Sequence, residues 1–114
     1  MGGTSRISGF YKLSPRERAE VVRGFAGLTD EEVGVLQSTG SLGLETADRM
    51  IENVVGAFSV PLGVAVNFLI NGRDYLIPMA IEEPSVVAAA GNAAKMARAR
   101  GGFFTSSTEP LMIG

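Results

Sequence analysis

Two adjacent carboxylates, Glu82 and Glu83, stand where an apolar segment gives way to Pro84-Ser85 and an Ala-rich run. Carboxylates at such a junction can exchange protons with a substrate. They stand out because the 114 residues include no histidine and no cysteine. Those absences exclude a cysteine nucleophile, a Ser-His triad, a zinc site of the usual ligands and disulfide stapling. Catalysis by this chain must therefore rest on Asp, Glu, Lys, Arg or Tyr. As neighbours in an extended segment, Glu82 and Glu83 point to opposite faces, so they form no dyad and at most one faces a pocket. Pro84 holds Glu83 extended, at or beside a helix N-cap. A helix dipole also favours acid at this place without any chemistry, and the pattern leaves both readings open. The dipole lowers a carboxyl pKa, whereas a general acid needs it raised, so a catalytic Glu83 requires an enclosed site from further structure.

Other polar residues have plainer explanations. Glu52-Asn53 fits hydrogen bonding at a helix C-terminus, and Asn67, inside an apolar strand, must find partners if buried. Arg73-Asp74 reads as a solvated pair worth little. Thr105 to Thr108 suits a phosphate contact or an ordinary polar loop. The stretches Gly40-Ser41-Leu42-Gly43 and Gly24-Phe25-Ala26-Gly27 match neither the dinucleotide fingerprint nor the phosphate-binding loop.

The elements that must position these groups follow from local signals. Ser14-Pro15-Arg16-Glu17 supplies an N-cap, a first-turn proline and a capping-box glutamate for a helix reaching about Phe25 and stopping at Gly27. Thr29 to Glu32 repeats the signature for a second helix that stops at Gly40, and Glu45 to Val54 has helical spacing. Leu62 to Ile70 is rich in β-formers, Asn71-Gly72 is a strong hairpin signal, and Arg73 to Ile81 returns antiparallel with Tyr75, Ile77 and Met79 on one face. Pro78 makes the returning strand an edge or a bulged strand. Ser85 to about Arg100 is helical and ends at Gly101-Gly102, with Gly91 costing about 1 kcal/mol inside it. Phe103 onward starts as a strand or loop. The fold class is α/β (α+β): a helical N-terminal segment over 1–43, then an antiparallel hairpin and a long helix over 44–114.

With 46% apolar and 19% charged residues the chain is a globular domain or part of one, able to bury roughly 65% of its unfolded surface if compact. A net charge of −2 with both signs interspersed points to neither nucleic acid nor a membrane surface. The polar opening is not expected to be a signal peptide, and Arg6 stands where myristoylation wants Ser or Thr. The apolar run Val54 to Ile70 is broken by Gly56, Ser59, Pro61, Gly63 and Asn67, so it reads as core strand. Because the chain ends on Leu111-Met112-Ile113 without a polar cap, continuation of the polypeptide is expected.

Longer motifs carry a resemblance. Glu52-Asn53-Val54-Val55-Gly56 followed by Pro61-Leu62-Gly63-Val64-Ala65, then Asn71-Gly72-Arg73-Asp74, Pro78 and Glu82-Glu83-Pro84-Ser85, resembles the 3-hydroxy-3-methylglutaryl-CoA (HMG-CoA) reductases of the degradative, bacterial and archaeal class (class II). Gly101-Gly102 with Thr105-Ser106-Ser107 continues the match, as does the segment Phe10 to Arg18.

The resemblance implies an oxidoreductase of isoprenoid metabolism that interconverts HMG-CoA with mevalonate and CoA using NAD(P)H. It makes Glu83 the catalytic glutamate handling protons at the thioester and aldehyde stages, and Ser85 a contact to the HMG carboxylate. Glu52, Asn53, Val54, Val55 and Gly56 become the dimerisation element, with Val55 in place of the commoner isoleucine. Arg6 and Lys12 match the CoA phosphate side only by general position. The family's catalytic lysine, aspartate and histidine and its nucleotide-binding domain have no counterpart here. The expectation is therefore the first quarter of the enzyme, part of the substrate-binding large domain, inactive alone and binding no cofactor or metal by itself. Its expected partners are the remainder of the reductase and a second copy in a homodimer or higher oligomer, in the cytoplasm. Two alternatives stay open: one subunit of a split reductase, and a stand-alone acyl-CoA-binding module.

Overall fold

Helix α1 (Pro15–Ala26) begins where the sequence places it. The Ser14 hydroxyl accepts from the Glu17 amide, and the Glu17 carboxylate accepts from the Ser14 amide at 2.7 Å. Gly27 ends the helix at φ 70, a conformation open to glycine at no steric cost. Helix α2 (Asp30–Gln37) is opened by the same reciprocal pair, Thr29 and Glu32, and stops at Ser38, before the expected Gly40. The computed structural model describes residues 2–113; Met1 and Gly114, the outer ends of the two expected segments, lie outside them.

Helix α3 (Leu44–Met50) is shorter than the helix expected to Val54. Ile51 is already extended and Asn53 takes a left-handed φ of 58, so apolar spacing alone overran the helix. The chain from Val54 to Pro61 then has no regular structure, and Val55 is fully exposed.

Strands β1 (Leu62–Ile70) and β2 (Arg73–Ala80) form a two-stranded antiparallel sheet. Asn71 and Gly72 connect them with φ 50 and 76, the mirror-image turn whose twist suits a hairpin. Ala65 pairs with Ile77 and Phe68 with Tyr75, so Val66 and Asn67 together oppose Leu76. This bulge lies on β1 and not at Pro78, which pairs with Val64. It also breaks the single face expected of Tyr75, Ile77 and Met79: below the bulge Leu76 is the more covered residue, above it Ile77 and Met79 are.

Helix α4 (Val86–Arg98) lies on β1 through small residues. Ala65 and Ala94 are 1% and 0% exposed, and a Cβ added to Gly91 would meet Val66 O at 3.6 Å, an ordinary contact. Beyond α4 the chain crosses β1 at Gly102, whose φ is 81 and where a Cβ would overlap the Leu69 carbonyl oxygen. Phe103 then bridges to Ile70 and stacks on Phe68 with centroids 5.6 Å apart.

The N-terminal arm is held to the hairpin. Ser5 is fully buried; its carbonyl accepts from the Asn67 amide at 2.9 Å, and its own amide donates to Asp74 at 2.8 Å. The Arg73-Asp74 pair expected to be solvated is thus divided. Asp74 turns inward to Ser5 and Arg98, while Arg73 lies 5.5 Å over the Tyr75 ring. Alternation along β2 sends adjacent side chains to opposite faces, which is why sequence adjacency misled.

The chain does not close on itself. Its radius of gyration is 17.0 Å against about 13 Å for a compact chain of this length. Its surface is 9034 Å² against about 5,900 Å² for a compact monomer of 11.9 kDa. The excess is apolar: Phe58, Phe104, Met112 and Ile113 are at least three-quarters exposed.

Candidate active site

Glu82 and Glu83 follow the last residue of β2 in a bend, not in the extended strand that would divide them between two faces. Both are exposed and neither forms an ion pair among the described residues. Ile81 is the last residue tied to the sheet edge, its amide donating to Pro61 O at 3.2 Å. Glu83 therefore stands three residues before α4, and the N-cap is Ser85.

Ser85 is an unusual cap. Ser14 and Thr29 sit at φ −68 and −76 and turn their hydroxyls onto the third amide of their helices. Ser85 sits at φ 73, ψ −12, and its side chain caps nothing. A left-handed non-glycine residue costs about 1–2 kcal/mol. What results is a helix N-terminus whose first-turn amides keep their partial positive charge, beside a hydroxyl free to bind. An anion is welcome there, and Glu83 two residues earlier can give or take a proton.

No wall encloses these groups. Two shallow depressions of about 310 Å³ lie elsewhere, one lined by Leu44, Glu45, Asp48, Val54 and Val55, the other by Leu28, Glu32, Val35 and Leu36. The first touches the segment Glu52 to Gly56, in which only Val54 is partly covered. Glu52 and Asn53 do not terminate a helix by hydrogen bonding; they occupy a turn beyond it. The hairpin thus brings Glu83 and Ser85 together, and the five residues from Glu52 to Gly56 form a separate apolar surface. Among the described residues no group of three or more potential ligands could hold a metal.

Sequence reasoning missed the cluster under the site. The Ser5 hydroxyl lies 2.8 Å from Asp74 Oδ1 and 2.9 Å from the Phe68 carbonyl, its one proton shared between them. Arg98 reaches the same carboxylate oxygen at 2.9 Å. The Ser5 amide, more than the partial burial opposing it, holds the Asp74 carboxyl below the usual range, and Arg98 adds to this. The available signal was Asn67: a polar residue inside an apolar strand marks a bulge, where separate segments can meet.

Comparison with known proteins extends this geometry. The sequence model for hydroxymethylglutaryl-coenzyme A reductase matches residues 14–114. A 3-hydroxy-3-methylglutaryl-coenzyme A reductase of Archaeoglobus fulgidus is 68% identical over 111 residues, covering 97% of this chain and 25% of that protein. A probable reductase of Borreliella burgdorferi is 53% identical over 48 residues, 42% of this chain and 11% of its own length. Among solved structures, a Streptococcus pneumoniae reductase superposes with a TM-score of 0.78 at 41% identity, covering 87% of this chain and 27% of that one. A class II reductase from the same organism, described as bound to NADPH in open conformations, gives 0.74 at 41% identity over 85% of this chain and 26% of that one. The chain thus spans about a quarter of the length of its fullest matches.

Proposed function

Because the chain belongs to the hydroxymethylglutaryl-coenzyme A reductase family, of which its matches are class II members, we propose that it is the N-terminal part of such an enzyme's substrate-binding large domain. In this reading it contributes one proton-handling carboxylate and one substrate contact to the NAD(P)H-dependent interconversion of HMG-CoA with mevalonate and CoA. The observation that carries the reading is the uncapped start of α4, with the Ser85 hydroxyl unused and Glu83 adjacent.

Ser85 and the first-turn amides of α4 receive the HMG carboxylate, compensating its charge with backbone dipoles. Glu83 then stands beside the thioester end. It donates a proton to carbonyl oxygen as that oxygen gains charge and takes one back in the reverse direction. The described residues do not fit a dinucleotide: β1 runs to β2 through a two-residue turn, and no strand–glycine loop–helix unit is formed. NAD(P)H supplies hydride, and its binding falls to structure outside these residues. The same holds for the walls that enclose Glu83. The apolar segment Glu52 to Gly56 serves as subunit interface in a homodimer or higher oligomer, and the division at 43/44 separates a helical lead-in from the large domain. No helix among the described residues is long and apolar enough to cross a membrane, which supports a cytoplasmic location.

A chimera tests this reading. The chain replaces the corresponding quarter of the archaeal relative, and NADH and NADPH oxidation with HMG-CoA is measured. Activity in the chimera, its loss by a factor of about 10² or more in Glu83→Gln, and no turnover by the 114-residue chain alone are expected. An inactive chimera, or a Glu83→Gln chimera as fast as its parent, overturns the reading.

A further inference from the structure

The N-terminal arm, strand β1 and helix α4 are joined at one residue, Asn67. It occupies the bulge facing Leu76, with a left-handed φ of 72. Its backbone amide donates to Ser5 O at 2.9 Å, its side-chain Nδ2 donates to Gly91 O at 3.0 Å, and its carbonyl lies 3.5 Å from Arg98 Nη1. Gly91 is buried in the middle of α4.

We propose that Asn67 is a positioning residue for the Glu83–Ser85 turn, acting through the seat of α4; the inference rests on the functional reading above. The rest of that seat is smooth. Gly91 rides on Val66, the first-turn residue Val87 lies over Gly63, and Ala94 is fully covered. Small side chains allow close approach but interlock weakly, so they resist sliding or rolling poorly. A directional hydrogen bond from a bulge pinned on both sides supplies the missing constraint. Ser85 lies six residues from Gly91, about 9 Å along the helix axis. The helix moves as a rod, so a displacement at Gly91 reaches Ser85 and the adjoining Glu83 undiminished.

Two substitutions separate this role from general stability. Asn67→Gly keeps the left-handed backbone and removes the amide. Asn67→Asp keeps shape and the tolerance of that conformation while setting an acceptor against the Gly91 carbonyl, so it serves if the glycine variant does not fold. In the chimera, kcat/KM for HMG-CoA is expected to fall roughly tenfold to a hundredfold, through a higher KM as well as a lower kcat, with KM for the nicotinamide cofactor unchanged. Simple destabilisation would lower kcat with the folded fraction and leave both KM values intact. That pattern, or unchanged kinetics in a folded variant, overturns the proposal. If the parent chimera is inactive the functional reading falls, and the seat is judged on the 114-residue chain by amide exchange. There Asn67→Gly must speed exchange of the Ala89 amide, which donates to Ser85 O at 2.8 Å, by about tenfold relative to Arg18 in α1. Equal exchange at both positions overturns it.

Discussion

Arg98, in the last turn of α4, reaches back to Asp74 near the start of β2, with Nη1 2.9 Å from Oδ1. Their side chains are only 19% and 24% exposed. The pair spans the sheet and its helix, and the same carboxylate holds the backbone and hydroxyl of Ser5. One anion thus fixes the N-terminal arm, the hairpin and the far end of the helix that presents Ser85.

Neutralising that anion leaves Arg98 partly buried without its partner. Asp74→Asn is expected to destabilise the chain by about 1–3 kcal/mol in a urea titration. Pairing it with Arg98→Met in a double-mutant cycle should recover part of the loss. A cost below about 0.3 kcal/mol would mean that the cluster is ornamental.

The same carboxyl gives a pH dependence. Its folded pKa lies below the ordinary 3.8, so the unfolded chain takes up the proton first as pH falls. Its contribution is complete above about 3.8 and disappears as pH drops through the folded value. Stability followed from pH 5 downward should fall less steeply in Asp74→Asn than in the parent.

Two glycines should respond oppositely to alanine. At Gly102 a Cβ would overlap Leu69 O and the backbone is left-handed, so Gly102→Ala should cost about 3 kcal/mol or more. At Gly91 the nearest atom would be 3.6 Å away in a regular helix, so Gly91→Ala should stabilise by up to about 1 kcal/mol. Thermal unfolding of both variants checks the signs.

The three hydroxyl caps divide in the same way. Ser14→Ala and Thr29→Ala each lose a reciprocal capping pair and should cost about 1 kcal/mol. Ser85→Gly loses no cap bond and relieves a left-handed serine, so its stability should be unchanged or higher by up to about 1 kcal/mol. In the chimera the same change should raise KM for HMG-CoA. A stability loss at Ser85 matching that at Ser14 would contradict the cap geometry.

Beyond the hairpin, Asn71 ties down the following segment. Its side chain donates to Thr105 O and Oγ1 at 3.1 and 2.9 Å and accepts from the Thr105 amide at 2.9 Å. Asn71→Gly keeps the turn and removes these bonds, so exchange of the Thr105 amide should accelerate by about tenfold while the strand amides stay protected. Equal protection before and after would deny the tie.

The sequence by itself determined whatever is decided within a few residues. The capping boxes at Ser14 and Thr29, the Gly27 stop and the Asn71-Gly72 turn are contests between local hydrogen bonds and backbone freedom, so their outcome is written in neighbouring side chains. Its longer motifs also carried the family, and with it Glu83 and Ser85 as the residues to examine. Helix α3 escaped this reading because apolar spacing continues past Met50, where the backbone turns away and Val55 emerges fully exposed. Only the tertiary structure decided which residues meet. Asp74 found Ser5, 69 residues earlier, and Arg98, while Asn67 found Gly91. Such pairings depend on register, and the bulge shifts that register by one residue, reversing which side chains face the helix. The left-handed Ser85 was decided there too, because the path from β2 into α4 fixes its backbone while no local preference of serine would choose it.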